Sequence, residues 1–192
     1  MDTRDSDTAR AGLLGLLAVE AILGYEWLMS GITKIVRGGF PGGLADELQA
    51  KSQGAASWYG SFLDSVVIPN GSVFGVLIIV AELAVGSALI AAAALWAFRW
   101  DTFGATGRTA VLAVTLAAAI AGILMNVNFH LANGSAHPWL IPSDGFDEGV
   151  DLDSLMPLIQ LVLAGGAVRL WALARREQRP RLAPAPRAAT SA

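Results

Sequence analysis

The chain has 192 residues, 54% of them hydrophobic, and a mean hydropathy of +0.54. Its apolar residues come in blocks of bilayer-crossing length, which excludes an ordinary soluble domain and points to an all-α integral membrane protein of about one domain. The net charge of −3 hides an uneven spread of Lys and Arg, and the lack of cysteine excludes thiol catalysis, disulfides, iron–sulfur clusters and Cys-ligated zinc within the chain.

Residues 1–10 are polar and are expected to fray. The first span is predicted over 11–36, AGLLGLLAVEAILGYEWLMSGITKIV, long enough at ~1.5 Å per residue to cross a ~30 Å hydrocarbon core. Arg4 and Arg10 ahead of an apolar run imitate a secretory leader, but the run is too long and too broken by acids, so it is read as a retained span. It carries Glu20, Glu26 and Lys34, with Tyr25 and Trp27 between them. Glu26, Ser30 and Lys34 are spaced i, i+4, i+8, and Glu20, Trp27 and Lys34 are spaced i, i+7, i+14. Both sets fall on one stripe of a helix. Ionisable groups at such depth normally face a bundle interior or a wet cavity, so the other helices are expected to supply one.

Gly38-Gly39-Phe40-Pro41-Gly42-Gly43 is expected to break this helix. Residues 44–71 put Leu44 and Leu48 at helical spacing, then turn aromatic around Trp58, Tyr59 and Phe62. They read as too polar to span, and as an interfacial helix plus a packed loop, with Pro69-Asn70-Gly71 resetting the chain. The second span is predicted over 73–98, with Glu82 its only charge and with Gly75, Ile79, Glu82, Gly86 and Ala93 on one face. The third, over 109–131, is apolar until Asn126, Asn128 and His130, and Ala118 and Gly122 offer a packing seam. A loop over 132–153 with five acids and no Lys or Arg leads to a fourth span over 155–173 containing Gln160. The transmembrane domain is thus placed at 11–174, followed by an Arg-, Pro- and Ala-rich tail at 175–192 that is expected to be disordered.

The first two connections carry two Lys or Arg each, the third none, and the segment from Arg169 onward six. The positive-inside rule then puts both termini in the cytoplasm, and the 37–72 and 132–153 segments outside. Counted from the outer ends at ~1.5 Å per residue, Glu26 and Glu82 lie ~14–15 Å deep, Gln160 ~8–12 Å and Asn126 ~8 Å, with Lys34 and His130 near the outer mouth. One buried acid alone reads as a protonated packing residue. Two at matched depth favour a functional site. Lys34 alone reads as a snorkelling lysine, and His130 alone as a hydrogen-bonded histidine rather than a metal or haem ligand. Of the tryptophans, most read as interfacial belt residues, and Trp27 is deep enough for ring stacking.

Tyr25-Glu26-Trp27-Leu28 followed by Ser30-Gly31-Ile32-Thr33-Lys34 resembles the first helix of the DoxX-like four-helix membrane family. The resemblance continues through Phe40, Gly43-Leu44, Trp58-Tyr59, Phe62-Leu63 and Ile68-Pro69-Asn70. Ala81-Glu82-Leu83-Ala84-Val85-Gly86 is similar to the family's second-helix element, and Met125-Asn126-Val127-Asn128-Phe129 to the asparagine-bearing end of its third. Within the family the chain is nearest to the DoxD group, membrane subunits of thiosulfate:quinone oxidoreductases. The resemblance covers residues 11–170 and implies oxidation of a small sulfur anion, with electrons passed to membrane quinone as the cofactor. On that expectation Lys34, Arg37, His130 and Asn126 meet the anion, and Trp27 and Gln160 hold the quinone. Glu26 and Glu82 take part in proton transfer. No haem, iron–sulfur or metal motif is read. The expected partners are lipid and a companion subunit or second copy, with no nucleic acid. The rival reading is a non-catalytic membrane scaffold or assembly partner for another oxidoreductase. A small-solute transporter is weaker, since no inverted repeat or broken helix is evident.

Overall fold

A computed structural model describes residues 3–133 and 152–178, all helical or in short turns between helices. Six α-helices follow in order: α1 (Thr3–Arg37), α2 (Phe40–Lys51), α3 (Ser57–Phe62), α4 (Gly71–Arg99), α5 (Ala105–Ala132) and α6 (Leu152–Gln178), with no strand among the described residues. Four stretches are long and apolar enough to cross a membrane: Gly12–Arg37, Ser57–Thr102, Ala105–Ala132 and Ser154–Arg175. The protein is a polytopic helical membrane bundle. Large apolar side chains such as Ile22, Val36 and Phe98 stay on its outside, where lipid would cover them.

The four long helices form a ring, α1 beside α4, α4 beside α5, α5 beside α6, and α6 back against α1. The interior between α1, α4, α5 and α6 is filled by Leu23, Trp27, Leu89, Ala119 and Leu163, all nearly fully buried. Lipid tails are as apolar as leucine, so such helices associate through close van der Waals packing, which small residues permit. Gly86 shows how close the approach is. A Cβ there would stand 2.6 Å from the backbone N of Leu28 and 2.9 Å from the carbonyl O of Gly24.

Helix α2 does not continue α1. Gly38 and Gly39 have φ of +68° and +77°, the left-handed region that glycine tolerates, and they alone make the break. The expected breaker Pro41-Gly42-Gly43 instead lies inside α2. Pro41 sits in the first turn, where a missing N–H has no helical partner to lose, and Gly43 N donates to Gly39 O at 2.9 Å. Leu44 and Leu48 turn inward as their spacing predicted, and α2 lies along α4. A Cβ on Gly75 of α4 would come within 2.5 Å of Pro41 Cα.

The segment expected to be a packed loop before the second span is helical. After α3 comes a wide π turn (Leu63–Val67), then a 3-10 turn (Ile68–Asn70) that runs into α4. Pro69 is tolerated because it falls in the first turn of the 3-10 segment. Asn70 leaves helical geometry (φ −117°, ψ 27°), and its Nδ2 donates to Val66 O at 2.8 Å. The predicted second span, 73–98, corresponds to α4 (Gly71–Arg99), and the continuous helical run that carries it begins earlier, at Ser57.

The other ends also run longer than the hydrophobic pattern predicts. Helix α1 starts at Thr3, because residues 3–10 contain no Gly or Pro to stop a helix that the apolar run already holds. Helix α6 reaches Gln178, and the Arg175 guanidinium lies 5.2 Å from the Trp171 ring. Most of the acidic loop and the tail beyond 178 lie outside the described residues.

Candidate functional site

One end of the bundle, where α1 passes into α2, holds a cavity of about 870 Å³ lined by residues of all six helices. Most of its wall is apolar, with Trp27, Phe40, Leu63, Phe74, Met125 and Phe129 among the larger side chains. The α1 stripe of Glu26, Ser30 and Lys34 faces it as their spacing predicted, and Glu82 and Asn126 also reach its wall.

Lys34 and Glu82 meet because α1 is pared to glycine opposite the acid. A Cβ on Gly31 would stand 2.9 Å from two side-chain atoms of Leu83 and 3.4 Å from Glu82 Cβ. Lys34 Nζ donates to Glu82 Oε1 at 2.7 Å and to Ser30 Oγ at 2.8 Å. Ser30 Oγ in turn donates to the same Glu82 oxygen at 3.1 Å. The Phe40 ring, with its centroid 5.1 Å from Nζ, offers its electron-rich face to the ammonium. The Glu82 side chain has 0% exposure and that of Lys34 21%. Glu82 Oε2 is buried with no hydrogen-bond partner among the described residues, although its residue lines the cavity.

A second polar group sits deeper, between α1, α5 and α6. Asn126 Nδ2 donates to Gln160 Oε1 at 3.4 Å, with Gln160 fully buried behind it and outside the cavity wall. Gln160 Nε2 and Trp27 Nε1 have no partner there, and both crowd the bare Cα of Gly122, at 2.3 and 3.1 Å from where a Cβ would be. Turning both the Gln160 and the Asn126 amides end for end would let Gln160 Nε2 donate to Asn126 Oδ1 and leave the Gln160 oxygen on the side of the indole N–H. The Trp27 ring is itself part of the wall, tilted at 43° to Phe129 with centroids 6.4 Å apart.

The other residues singled out from sequence lie apart from these groups. Arg37, in the last turn of α1, is exposed and off the cavity wall. His130 is buried on α5 with Nδ1 3.3 Å from Ser154 Oγ, and it too is off the wall. Glu20 lies in the half away from the cavity, where Thr115 Oγ1 donates to its Oε1 at 2.5 Å. Lys34, Arg37 and His130 are therefore not gathered at one point. The structure instead sets Glu82 against Ser30 and Lys34, one and two turns beyond Glu26 along α1.

Tyr59 was read only as part of an aromatic cluster, yet it lines the cavity and ties α3 to α5. Its hydroxyl donates to Asn128 Oδ1 at 3.0 Å and lies 3.2 Å from Asn128 O. The usable signal was Tyr59, Leu63 and Val67 at four-residue spacing, all three buried. Thr115 and Ser154 carried no such signal, because each matters only through its partner on another helix. No group of three His, Cys, Asp or Glu that could hold a metal ion occurs among the described residues. No protein-family model, curated protein or solved structure matches the chain.

Proposed function

We propose that the cavity is a membrane-quinone site and that the chain is the quinone-reducing membrane subunit of a system oxidising a small sulfur anion, thiosulfate being the type substrate. The observation that carries this reading is Glu82, a fully buried carboxyl at the wall of a largely apolar cavity. One of its oxygens is held by Lys34 and Ser30, and the other has no partner among the described residues. The residues present fit a quinone ring. Aromatic and aliphatic side chains line the space, the Asn126 amide offers polar contact to a carbonyl oxygen, and Glu82 Oε2 stands ready to pass a proton. The DoxX-like resemblance supports the same chemistry.

In that chemistry two thiosulfate ions join through a new S–S bond and release two electrons, and quinone takes up those electrons and two protons. Glu82, ion-paired through Oε1 with Lys34 and Ser30, would take up each proton at Oε2 and pass it on, returning to the carboxylate form. Glu26, on the same wall one turn from Ser30, extends the proton path. Gln160 holds the Asn126 amide from behind. With the chain reconstituted beside its natural partners, thiosulfate-dependent reduction of a soluble quinone analogue is expected. Glu82→Gln, which keeps the shape and loses the exchangeable proton, should lower that rate by about 10²-fold or more, the usual share of a positioned general acid. Full activity in Glu82→Gln would remove the acid from the mechanism.

The scaffold reading has its own support, because the buried polar groups pair across helices as packing contacts would: Glu20 with Thr115, Lys34 with Glu82, Asn126 with Gln160. A wild-type chain that reduces no quinone beside those partners would favour it.

The Lys and Arg bias supports a membrane orientation with both termini in the cytoplasm and the cavity end outside. A reporter fused after Ala192 is expected to be active in the cytoplasm, and a tag placed in the 143–149 loop to be reached by an impermeant label. The reverse pattern would turn the site to the other side of the membrane.

A further inference from the structure

We infer that this cavity selects electrically neutral amphiphiles and rejects anions. The inference rests on the cavity being a ligand site, as argued above, and does not require that the ligand be a quinone.

Among the described residues lining the cavity only Lys34 and Lys51 are cationic, against Glu26, Glu47 and Glu82. Both ammonium groups are already engaged. Lys51 Nζ lies 2.8 Å from Glu47 Oε1 at the exposed edge of α2. Lys34 donates to the Glu82 carboxylate and the Ser30 hydroxyl, and its ammonium lies against the Phe40 ring, 5.1 Å from the centroid. An incoming oxyanion must therefore compete with a fully buried counter-ion for this ammonium.

To bind, an anion would have to take Lys34 from Glu82 and leave a carboxylate uncompensated at 0% exposure, which low-dielectric surroundings penalise heavily. The two other groups suited to an anion do not help, since Arg37 and His130 are off the cavity wall. A neutral ring with an alkyl chain meets no such obstacle. It gains contact with the apolar wall and can still reach the Asn126 amide, while Glu82 Oε2 stays buried behind the wall. The Lys34–Glu82 pair thus acts as a charge filter. It keeps the local field close to neutral while holding a polar end inside an apolar pocket.

The test compares two probes of the same shape, para-hexylbenzyl alcohol and para-hexylbenzoate, binding to the full chain in nanodiscs of zwitterionic lipid. The alcohol is expected to bind at least about tenfold more tightly, and a large excess of thiosulfate should not displace it. In Glu82→Gln, where the amide keeps the shape and Lys34 loses its counter-charge, benzoate should gain about tenfold or more in affinity relative to the alcohol. Benzoate binding as well as the alcohol in the wild type would overturn the inference, as would displacement of the alcohol by thiosulfate. These wild-type comparisons decide the matter even if the variant does not fold. Failure of hexyl-benzoquinone to bind where the alcohol binds and benzoate does not would sink the quinone reading and leave the charge filter standing.

Discussion

Lys34→Met should lower the stability of the detergent-solubilised protein by about 3–5 kcal/mol, the usual penalty for leaving one partner of a buried ion pair uncompensated. The acid it strands is fully buried at the cavity wall. Removing the acid instead, as Glu82→Leu, should cost less. Lys34 keeps some exposure, and its long stem can extend toward the mouth of the cavity. The double variant Lys34→Met with Glu82→Leu should recover most of the loss, since an apolar pair of similar volume needs no compensation in that position. Thermal unfolding of the four proteins forms a double-mutant cycle. Equal losses for both single variants that simply add in the double would show that the 2.7 Å contact carries no coupling.

Gly86→Leu should disrupt the α1–α4 pair outright, and Gly86→Ala should already cost about 1–3 kcal/mol, the range for overpacking a close contact. The obstacle is backbone, Leu28 N at 2.6 Å and Gly24 O at 2.9 Å from the new Cβ, so no side-chain rotation relieves it. Gly15→Ala is the matched control, because nothing stands within 4 Å of a Cβ there. It should be neutral or slightly stabilising, as expected for alanine replacing glycine in a helix. Size-exclusion profiles and unfolding midpoints separate the two cases. A monodisperse, normally stable Gly86→Leu protein would mean that α1 and α4 can part without loss.

The class of the protein and its four spans were legible because hydrophobic length is a property of each segment by itself. The stripe of Glu26, Ser30 and Lys34 was legible for the same reason, since helical periodicity fixes which residues of one helix share a face. What periodicity does not fix is the register of a neighbouring helix. Lys34 could be placed near a mouth but not against Glu82, and His130 could not be matched to Ser154. The segment from 57 to 70 was misjudged for a local reason. Pro69, Asn70 and Gly71 are strong breakers on average, yet the proline falls in the first turn of its segment, and the asparagine side chain bonds back to the Val66 carbonyl. Pro41 was misjudged in the same way.

The order in which the ring closes bears on how the protein reaches its membrane. Neighbouring spans in sequence are also the most closely packed, α1 with α4 and α5 with α6. Each pair is a helical hairpin that could enter the bilayer as a unit. Lys34 would arrive already matched to Glu82 within the first hairpin, and Asn126 to Gln160 and His130 to Ser154 within the second. Polar side chains that would be costly alone in hydrocarbon need not wait for a distant stretch of chain to be synthesised. Glu20 with Thr115 and Tyr59 with Asn128 join one hairpin to the other. Those contacts would form last, as the latch that turns two inserted hairpins into one bundle.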